Sequence, residues 1–232
     1  MEQDGFTLFE NIYSAKETEQ ILQIIDEANA CNASFRKSKE LFAIRRFLKE
    51  VPAVMPHIFT NPFLQLVREL FGDKYFVSKS IYFDKPETSN WFVAYHQDLT
   101  FSIQNKAERD DFGPWSVKEG YYTVQPPLQF LENNFTVRIH LDDTNENNGC
   151  LKVIQGSHNK GIYRPETINC SIEKQISCTV NSGGLMIMRP LLMHASGRTI
   201  NNQRRRVIHL EFSNCSLPEP LQWAEKIILP SL

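Results

Sequence analysis

From residue 75 onward the chain divides into short apolar and aromatic runs separated by turn residues, and this pattern constrains the fold most. In the clearest run, Phe135–Leu141, the residues Val137, Ile139 and Leu141 alternate with polar ones, so one face of the strand is apolar. The other runs are Tyr75–Phe83, Trp91–His96, Cys150–Ile154, Leu185–Met188 and Arg206–Phe212. Many short strands with turns at near-regular spacing predict a β-sandwich or jelly roll.

Two helices are predicted ahead of these strands. Ser14 and Glu17 form a capping box in front of an apolar stripe at helical spacing. The second helix begins at Asn61-Pro62 and ends at Gly72, which supplies the stop signal. We expect both helices to cover the sheet and assign them no chemistry.

Length and composition suit one domain, and we treat residues 1–232 as a single unit. Hydrophobic residues make up 41% of the chain and charged residues 22%, which is enough apolar mass for a packed core. We expect residues 1–74 to form the helical N-terminal cover. Residues 101–134 are polar, aromatic and proline-bearing, and an insert of that length is expected to act as a lid.

Charge and cysteine usage exclude several classes of function. The net charge of −2 creates no basic field for nucleic acid or anionic lipid. No apolar run approaches the roughly 18 residues of a membrane span, and the acidic start lacks an apolar signal core. The five cysteines form no C-x-x-C pair, so we expect reduced thiols and a cytoplasmic location.

His96 and Asp98 are the first candidate metal ligands. They lie two residues apart in a predicted strand, so both side chains point to the same face and reach one point in space. One further imidazole would complete the 2-His-1-carboxylate set of non-haem Fe(II) oxygenases, which leaves coordination positions open. Taken alone, the tripeptide is a weak signal and is more typical of a polar pair on the protein surface.

His194 is the candidate for the third ligand, since it follows an apolar strand far along the chain. The turn signal at Asn201-Asn202 predicts a hairpin centred near residues 199–200, which would place Arg205 opposite His194. Ser196 would share that face. A metal, an arginine fork and a hydroxyl group together suit a small dicarboxylate. The alternative for Arg204–Arg206 is a solvated basic edge or a phosphate-binding strip.

These motifs, in this order, resemble the phytanoyl-CoA dioxygenase-like family of Fe(II)/2-oxoglutarate oxygenases. The resemblance covers roughly residues 75–213, with a weaker match around Asp4-Gly5-Phe6. Its matching segments are His96-Gln97-Asp98, Thr136–Asp143, Asn147–Leu151, Gly156-Ser157-His158, and His194-Ala195-Ser196 with Arg205 eleven residues after His194. The resemblance implies a mainly β fold with flanking helices, namely a double-stranded β-helix (jelly roll, cupin-like) with the N-terminal helices packed on its sheet.

The resemblance also implies roles for individual residues. The iron ligands are implied to be His96, Asp98 and His194. Arg205 would clamp the distal carboxylate of the cosubstrate 2-oxoglutarate, with Ser196 and Gln97 as helpers. Gly149 and the segment Gly156-Ser157-His158 are implied to be structural turns, so His158 is not counted as a ligand.

One departure from the family pattern is Arg138, since several relatives carry tryptophan at this position. Arg138 and His140 would touch the cosubstrate or favour an anionic substrate, unless both face solvent on an edge. The expected reaction consumes dioxygen and 2-oxoglutarate, releases succinate and CO2, and hydroxylates a small molecule. Two alternatives stay open: a non-catalytic jelly-roll protein with a structural metal, and a nucleic-acid demethylase, which the net charge opposes.

Overall fold

The computed structural model of the protein describes residues 1–31, 36–37, 42–87, 91–118, 120–169 and 171–232. Its helices are α1 (Ala15–Cys31), α2 (Phe47–Glu50), α3 (Met55–Ile58), α4 (Asn61–Phe71) and α5 (Leu128–Glu132). The first strands are β1 (Phe6–Phe9), β2 (Arg36–Lys37), β3 (Phe42–Arg45), β4 (Phe76–Lys85), β5 (Val93–His96), β6 (Phe101–Ile103), β7 (Trp115–Lys118) and β8 (Tyr121–Val124). The remaining strands are β9 (Phe135–His140), β10 (Leu151–Ile154), β11 (Gln175–Cys178), β12 (Leu185–Met188), β13 (His194–Ser196), β14 (Arg205–Ser213) and β15 (Ile227–Ile228).

Two antiparallel sheets form the body of the jelly roll. The larger sheet has the order β1-β12-β9-β14-β4-β3-β2, with β15 pairing with β4, and the smaller sheet has the order β11-β10-β13-β5. The predicted strand runs agree with β4, β5, β9, β10, β12 and β14 to within a few residues at their ends. The expected mainly β, jelly-roll fold with N-terminal helices is therefore confirmed.

The N-terminal helices cover the outer face of the larger sheet, as expected. At the start of α1 the Ser14 hydroxyl and backbone N–H donate to the Glu17 carboxylate, and the Glu17 N–H donates back to the Ser14 hydroxyl. Helix α4 starts one residue earlier than predicted, because Thr60, not Asn61, occupies the N-cap position. The main apolar cluster joins both helices to alternate residues of the sheet, including Ile21, Ile25, Phe63, Val67, Val137, Ile139, Ile208 and Leu210.

The described part of residues 101–134 contains regular secondary structure. Strands β6, β8 and β7 make a three-stranded antiparallel sheet, followed by α5. A separate apolar cluster of Phe101, Ile103, Phe112, Val124, Leu131, Leu191 and Leu221 packs this sheet against the C-terminal segment. The role of the insert as a lid stays a prediction.

Two structural observations bear on the sequence expectations about membrane spans and cysteines. Among the described residues, no helix is long and apolar enough to cross a membrane. Cys150, Cys178 and Cys215 are free thiols. Cys170 and the side chain of Cys31 lie outside the described residues.

Candidate functional site

The three predicted metal ligands meet at the end of the smaller sheet. His96 ends β5 and His194 begins β13, and the two residues are direct partners in the antiparallel pairing. Their ring centroids are 4.3 Å apart, and His194 Nε2 lies 3.9 Å from Asp98 Oδ2. One ligand atom from each of the three side chains lies within 4.8 Å of the others. The structure thus brings the three residues to one point, as their spacing predicted.

Backbone carbonyl groups fix the orientation of both imidazoles. His96 Nδ1 lies 2.9 Å from the Ala94 oxygen, and His194 Nδ1 lies 2.8 Å from the Leu192 oxygen. Because a carbonyl oxygen only accepts, each Nδ1 carries the proton and each Nε2 keeps a free lone pair. Burial lowers the pKa of His194 to about 4, so its ring is neutral at physiological pH. Both rings are therefore oriented to offer Nε2 as the ligand atom.

Asp98 supplies an oxygen atom that has no protein partner. Its Oδ2 is buried without a hydrogen bond. Burial alone would raise the pKa of this carboxyl group, but its electrostatic interactions with His194, His209 and Lys79 lower it to about 2. An ionised, unpartnered carboxylate oxygen beside two imidazole lone pairs suits a divalent transition metal. The donor set therefore fits the Fe(II) that the sequence implied.

A second group of possible ligands consists of Asp98, His209 and Glu211, whose donor atoms also lie within 4.8 Å of one another. Its electrostatics oppose a cation. Lys79 Nζ lies 2.7 Å from Glu211 Oε1, and Arg138 Nη1 donates to His209 Nδ1 at 3.0 Å. Because Lys79 already pairs with Glu211 and Arg138 already donates to His209, the metal is expected at the group with His96 and His194.

Arg205 reaches the interior by a different route from the predicted one. The expected hairpin is wrong, because β13 belongs to the smaller sheet and β14 to the larger sheet. His194 pairs with His96, whereas Arg205 pairs with Lys85 of β4. The link 197–204 crosses between the two sheets, so the turn signal at Asn201-Asn202 serves a crossover instead of a hairpin. Arg205 is nevertheless buried.

Arg205 and Lys85 form a pair of buried cations held by backbone carbonyls. Arg205 Nη1 donates to the Gly149 oxygen, while its Nε is buried without a partner. Lys85 Nζ donates to the Gly197 oxygen at 2.5 Å. Burial, together with the charge of Arg138, lowers the pKa of Arg205 to about 9. Sequence reasoning missed Lys85, although its even spacing from Lys79 along one strand placed it on the inner face.

Arg138 and His140 also lie inside the barrel, with only 6% and 2% of their surface exposed. The alternative that both face solvent on an edge is therefore wrong. Arg138 Nε and His140 Nε2 are buried without partners. Burial and the charges of Arg138 and Arg205 lower the pKa of His140 well below its ordinary value. Unpartnered polar atoms on β9 and β14 thus face an interior that suits an acidic ligand.

Gln97 and Ser196 are the two residues predicted to help in binding the cosubstrate. Gln97 Nε2 donates to the oxygens of Gly161 (2.9 Å) and Leu191 (2.5 Å), and its Oε1 accepts from the Tyr163 N–H at 2.8 Å. All of these amide bonds go to the backbone of other segments, and the role of Gln97 in binding the cosubstrate stays a prediction. Ser196 is buried on the strand that begins with His194.

The arginines on either side of Arg205 are neutralised by carboxylates. Arg204 donates to Asp84 through Nε (2.8 Å) and Nη2 (2.5 Å). Arg206 donates to Asp142 through Nε (2.8 Å) and Nη2 (2.6 Å). Two bidentate pairs leave no run of free guanidinium groups on this strand, so the feature that suggested phosphate binding is accounted for by the fold.

His158 lies away from the candidate ligands and anchors the N-terminus. Its Nε2 contacts the Glu2 oxygen at 3.0 Å. Gly5, at a φ of +83°, leaves space for the ring, since a Cβ there would lie 2.5 Å from His158 Nδ1. The glycine–serine–histidine segment is therefore structural, as the family resemblance implied.

With the site described, comparison with known proteins identifies its class. The family model for phytanoyl-CoA dioxygenase (PhyH) matches residues 1–207. The chain belongs to this family, and the sequence resemblance is confirmed. No curated protein matches the chain in a sequence search.

Several solved structures share the fold of this chain. EctD from S. alaskensis, in a crystal structure with 2-oxoglutarate and 5-hydroxyectoine, has a TM-score of 0.69 at 18% identity and covers 91% of this chain and 72% of its own. The non-haem α-ketoglutarate-dependent carbocyclase SnoK from nogalamycin biosynthesis has a TM-score of 0.68 at 12% identity, with 91% and 80% covered. AviO1 from Streptomyces viridochromogenes Tue57 has a TM-score of 0.63 at 16% identity, with 94% and 93% covered.

These likenesses establish the jelly-roll fold, and the family match establishes an oxygenase family. EctD has been solved both with 2-oxoglutarate and with bound Fe. The His–Asp–His group of this chain and its unpartnered buried arginine atoms fit the same pair of cofactors.

Proposed function

We propose that this chain is a non-haem Fe(II)- and 2-oxoglutarate-dependent dioxygenase that hydroxylates a small-molecule substrate. The observation that carries the proposal is the convergence of His96, Asp98 and His194 within 4.8 Å, in the same barrel as a buried Arg205 with an unpartnered Nε. A structural metal alone would not require that arginine. Arg205 is the kind of side chain that binds a carboxylate through two parallel hydrogen bonds.

In this proposal each residue has a defined role. The metal ligands are His96 Nε2, His194 Nε2 and a carboxylate oxygen of Asp98. Arg205 binds the distal carboxylate of 2-oxoglutarate, helped by the Ser196 hydroxyl, and Arg138 supplies a second guanidinium group. Bound Fe(II) and 2-oxoglutarate supply oxidative decarboxylation to succinate and CO2, coupled to insertion of one oxygen atom of dioxygen into the substrate.

The charges inside the barrel support an acidic primary substrate. Arg138, Arg205 and Lys85 donate to an imidazole nitrogen or to carbonyl oxygens, and none of these hydrogen bonds ends on a carboxylate. One distal carboxylate of 2-oxoglutarate balances one of these cations. An anionic group on the substrate would balance another, since buried charges without counter-ions are costly.

The test begins with an anaerobic titration of the purified protein with Fe(II) and 2-oxoglutarate. We expect both to bind together, and oxygen-dependent succinate release to follow. Asp98→Ala should abolish Fe(II) binding and succinate release. The matched control is Asp111→Asn, since this carboxylate is half exposed and pairs only with Arg109 on the surface. Succinate production that survives in Asp98→Ala would refute the proposal, and metal binding without 2-oxoglutarate turnover would favour a non-catalytic protein.

Hydroxylation is separated from other oxidative outcomes by the product. SnoK and SnoN carry the names carbocyclase and epimerase on the same fold. Screening of metabolite extracts for a compound that gains one oxygen atom in step with succinate tests the hydroxylase assignment. A product without added oxygen would keep the cofactors and overturn the reaction type.

A further inference from the structure

Four side chains form a continuous hydrogen-bonded row across the inner face of the larger sheet. Lys79 Nζ donates to Glu211 Oε1 at 2.7 Å, and Glu211 Oε1 lies 3.3 Å from His209 Nε2. His209 Nδ1 in turn lies 3.0 Å from Arg138 Nη1. His209, Glu211 and Arg138 are each less than a tenth exposed. The row ends beside Asp98, whose charge interacts with Arg138.

The strand register makes this row. Glu211 is the cross-strand partner of Lys79, and His209 is the partner of Arg138. His209 and Glu211 are two residues apart on β14, so they share one face. Directly opposed side chains on one face lie about 5 Å apart at Cβ, within reach of these long groups. The pairing of the strands therefore brings these four side chains next to one another.

The hydrogen-bond partners of His209 determine which of its ring nitrogens carries the proton. An arginine only donates, so His209 Nδ1 accepts, and its proton therefore resides on Nε2 and is donated to Glu211. Burial alone would lower the pKa of Lys79, but the Glu211 carboxylate raises it above its ordinary value. Glu211 is thereby paired with Lys79, whereas Arg138 donates to His209 and is acted on by the charge of Asp98.

The geometry points to His209 as a positioning residue: locked by Glu211 and Lys79, it aims Arg138 so that its guanidinium contacts 2-oxoglutarate. This inference rests on the proposed function. Two observations support Arg138 as the residue that His209 orients. Its Nε is buried without a partner, and its charge interacts with Arg205, the proposed clamp for the distal carboxylate.

A double-mutant cycle on 2-oxoglutarate affinity tests the inference, measured anaerobically with Fe(II) present. Arg138→Gln should weaken 2-oxoglutarate binding about tenfold or more, as expected for loss of a charge-assisted hydrogen bond. His209→Leu should cause most of the same loss, and no further loss in the Arg138→Gln background. His209→Asn, which keeps an oxygen acceptor near the Nδ1 position, should recover part of the affinity.

Three outcomes distinguish failure of the positioning role of His209 from failure of the proposed function. If the unmodified protein fails to bind 2-oxoglutarate with Fe(II), the proposed function fails. If it binds but Arg138→Gln is silent, or His209→Leu and Arg138→Gln weaken binding additively, the positioning role is overturned. If His209→Leu lowers only the melting temperature while 2-oxoglutarate affinity is unchanged, the row is structural. Fe(II) affinity and circular dichroism of each variant report whether the site and fold persist.

Discussion

Gly149 follows the paired asparagines in the turn before β10, and we expect Gly149→Ala to be one of the most damaging single changes in the chain. The residue has a φ of +79° and a ψ of 49°, the left-handed conformation that glycine favours. A Cβ placed there would lie 2.5 Å from the Gly197 oxygen and 2.9 Å from Lys85 Nζ. Its own carbonyl accepts the hydrogen bond of Arg205.

The magnitude follows from two separable contributions. The left-handed conformation costs an L-residue about 1–2 kcal/mol. The clash with a backbone carbonyl adds about 1–3 kcal/mol, since overpacking forces the neighbouring chain to move. Gly120→Ala is the matched control, because Gly120 has a φ of +72° but no atom within 4 Å of the added Cβ. We expect a loss of about 2–5 kcal/mol for Gly149→Ala and only the first contribution for Gly120→Ala.

Urea unfolding of the two variants and the unmodified protein measures both contributions. The difference between the variants isolates the close approach of residues 149 and 197. If Gly149→Ala unfolds with the same free energy as Gly120→Ala, the packing of the two chain segments does not have the rigidity that we infer. The reasoning would also fail if Gly149→Ala were as stable as the unmodified protein.

Three further predictions concern buried polar groups. Tyr13→Phe removes the 2.6 Å hydrogen bond to the Ile58 oxygen and should lower the unfolding free energy by about 1–3 kcal/mol in urea. Burial raises the pKa of Glu225 above 4.5, so its stabilisation is lost as pH rises from there; the stability of Glu225→Gln relative to the unmodified protein should grow with pH. Burial lowers the pKa of Lys85 from 10.5 to about 8, so cofactor-free protein should gain stability between those pH values, and Lys85→Met should flatten that rise in pH-dependent melts.

The parts of the fold that the sequence predicted are those that depend on local periodicity. The capping box of Ser14 and Glu17 acts within one helical turn, and the alternation in β9 follows from the two-residue period of a strand. The same period predicts that His96 and Asp98 share a face, and their donor atoms do converge, although β5 ends at His96 and Asp98 lies just beyond it. These features need no knowledge of which strands pair, so a single sequence suffices to predict them.

Local sequence predicts least where pairing between distant segments decides the structure. The turn signal at Asn201-Asn202 predicts a hairpin, which is wrong, because the same signal serves a crossover between two sheets and local sequence does not distinguish the two. Gln97 lies between two candidate ligands, yet its amide bonds go to residues 161, 163 and 191, which no local pattern connects to it. The sheet within residues 101–134 likewise depends on apolar contacts with the C-terminal segment.

The interior of the barrel contradicts the usual rules of stable packing, and that contradiction points to its use. Arg205 and Lys85 are directly opposed in paired strands, and like charges in that arrangement destabilise a sheet. Both side chains are buried, and the charge of Arg138 acts on Arg205 as well. Natural sequences break local rules of this kind mainly at functional sites, where a ligand supplies the missing interaction. A dianion that binds between the metal ligands and Arg205 would supply it, so the same positive charges that weaken the empty fold would provide its affinity for an acidic cosubstrate.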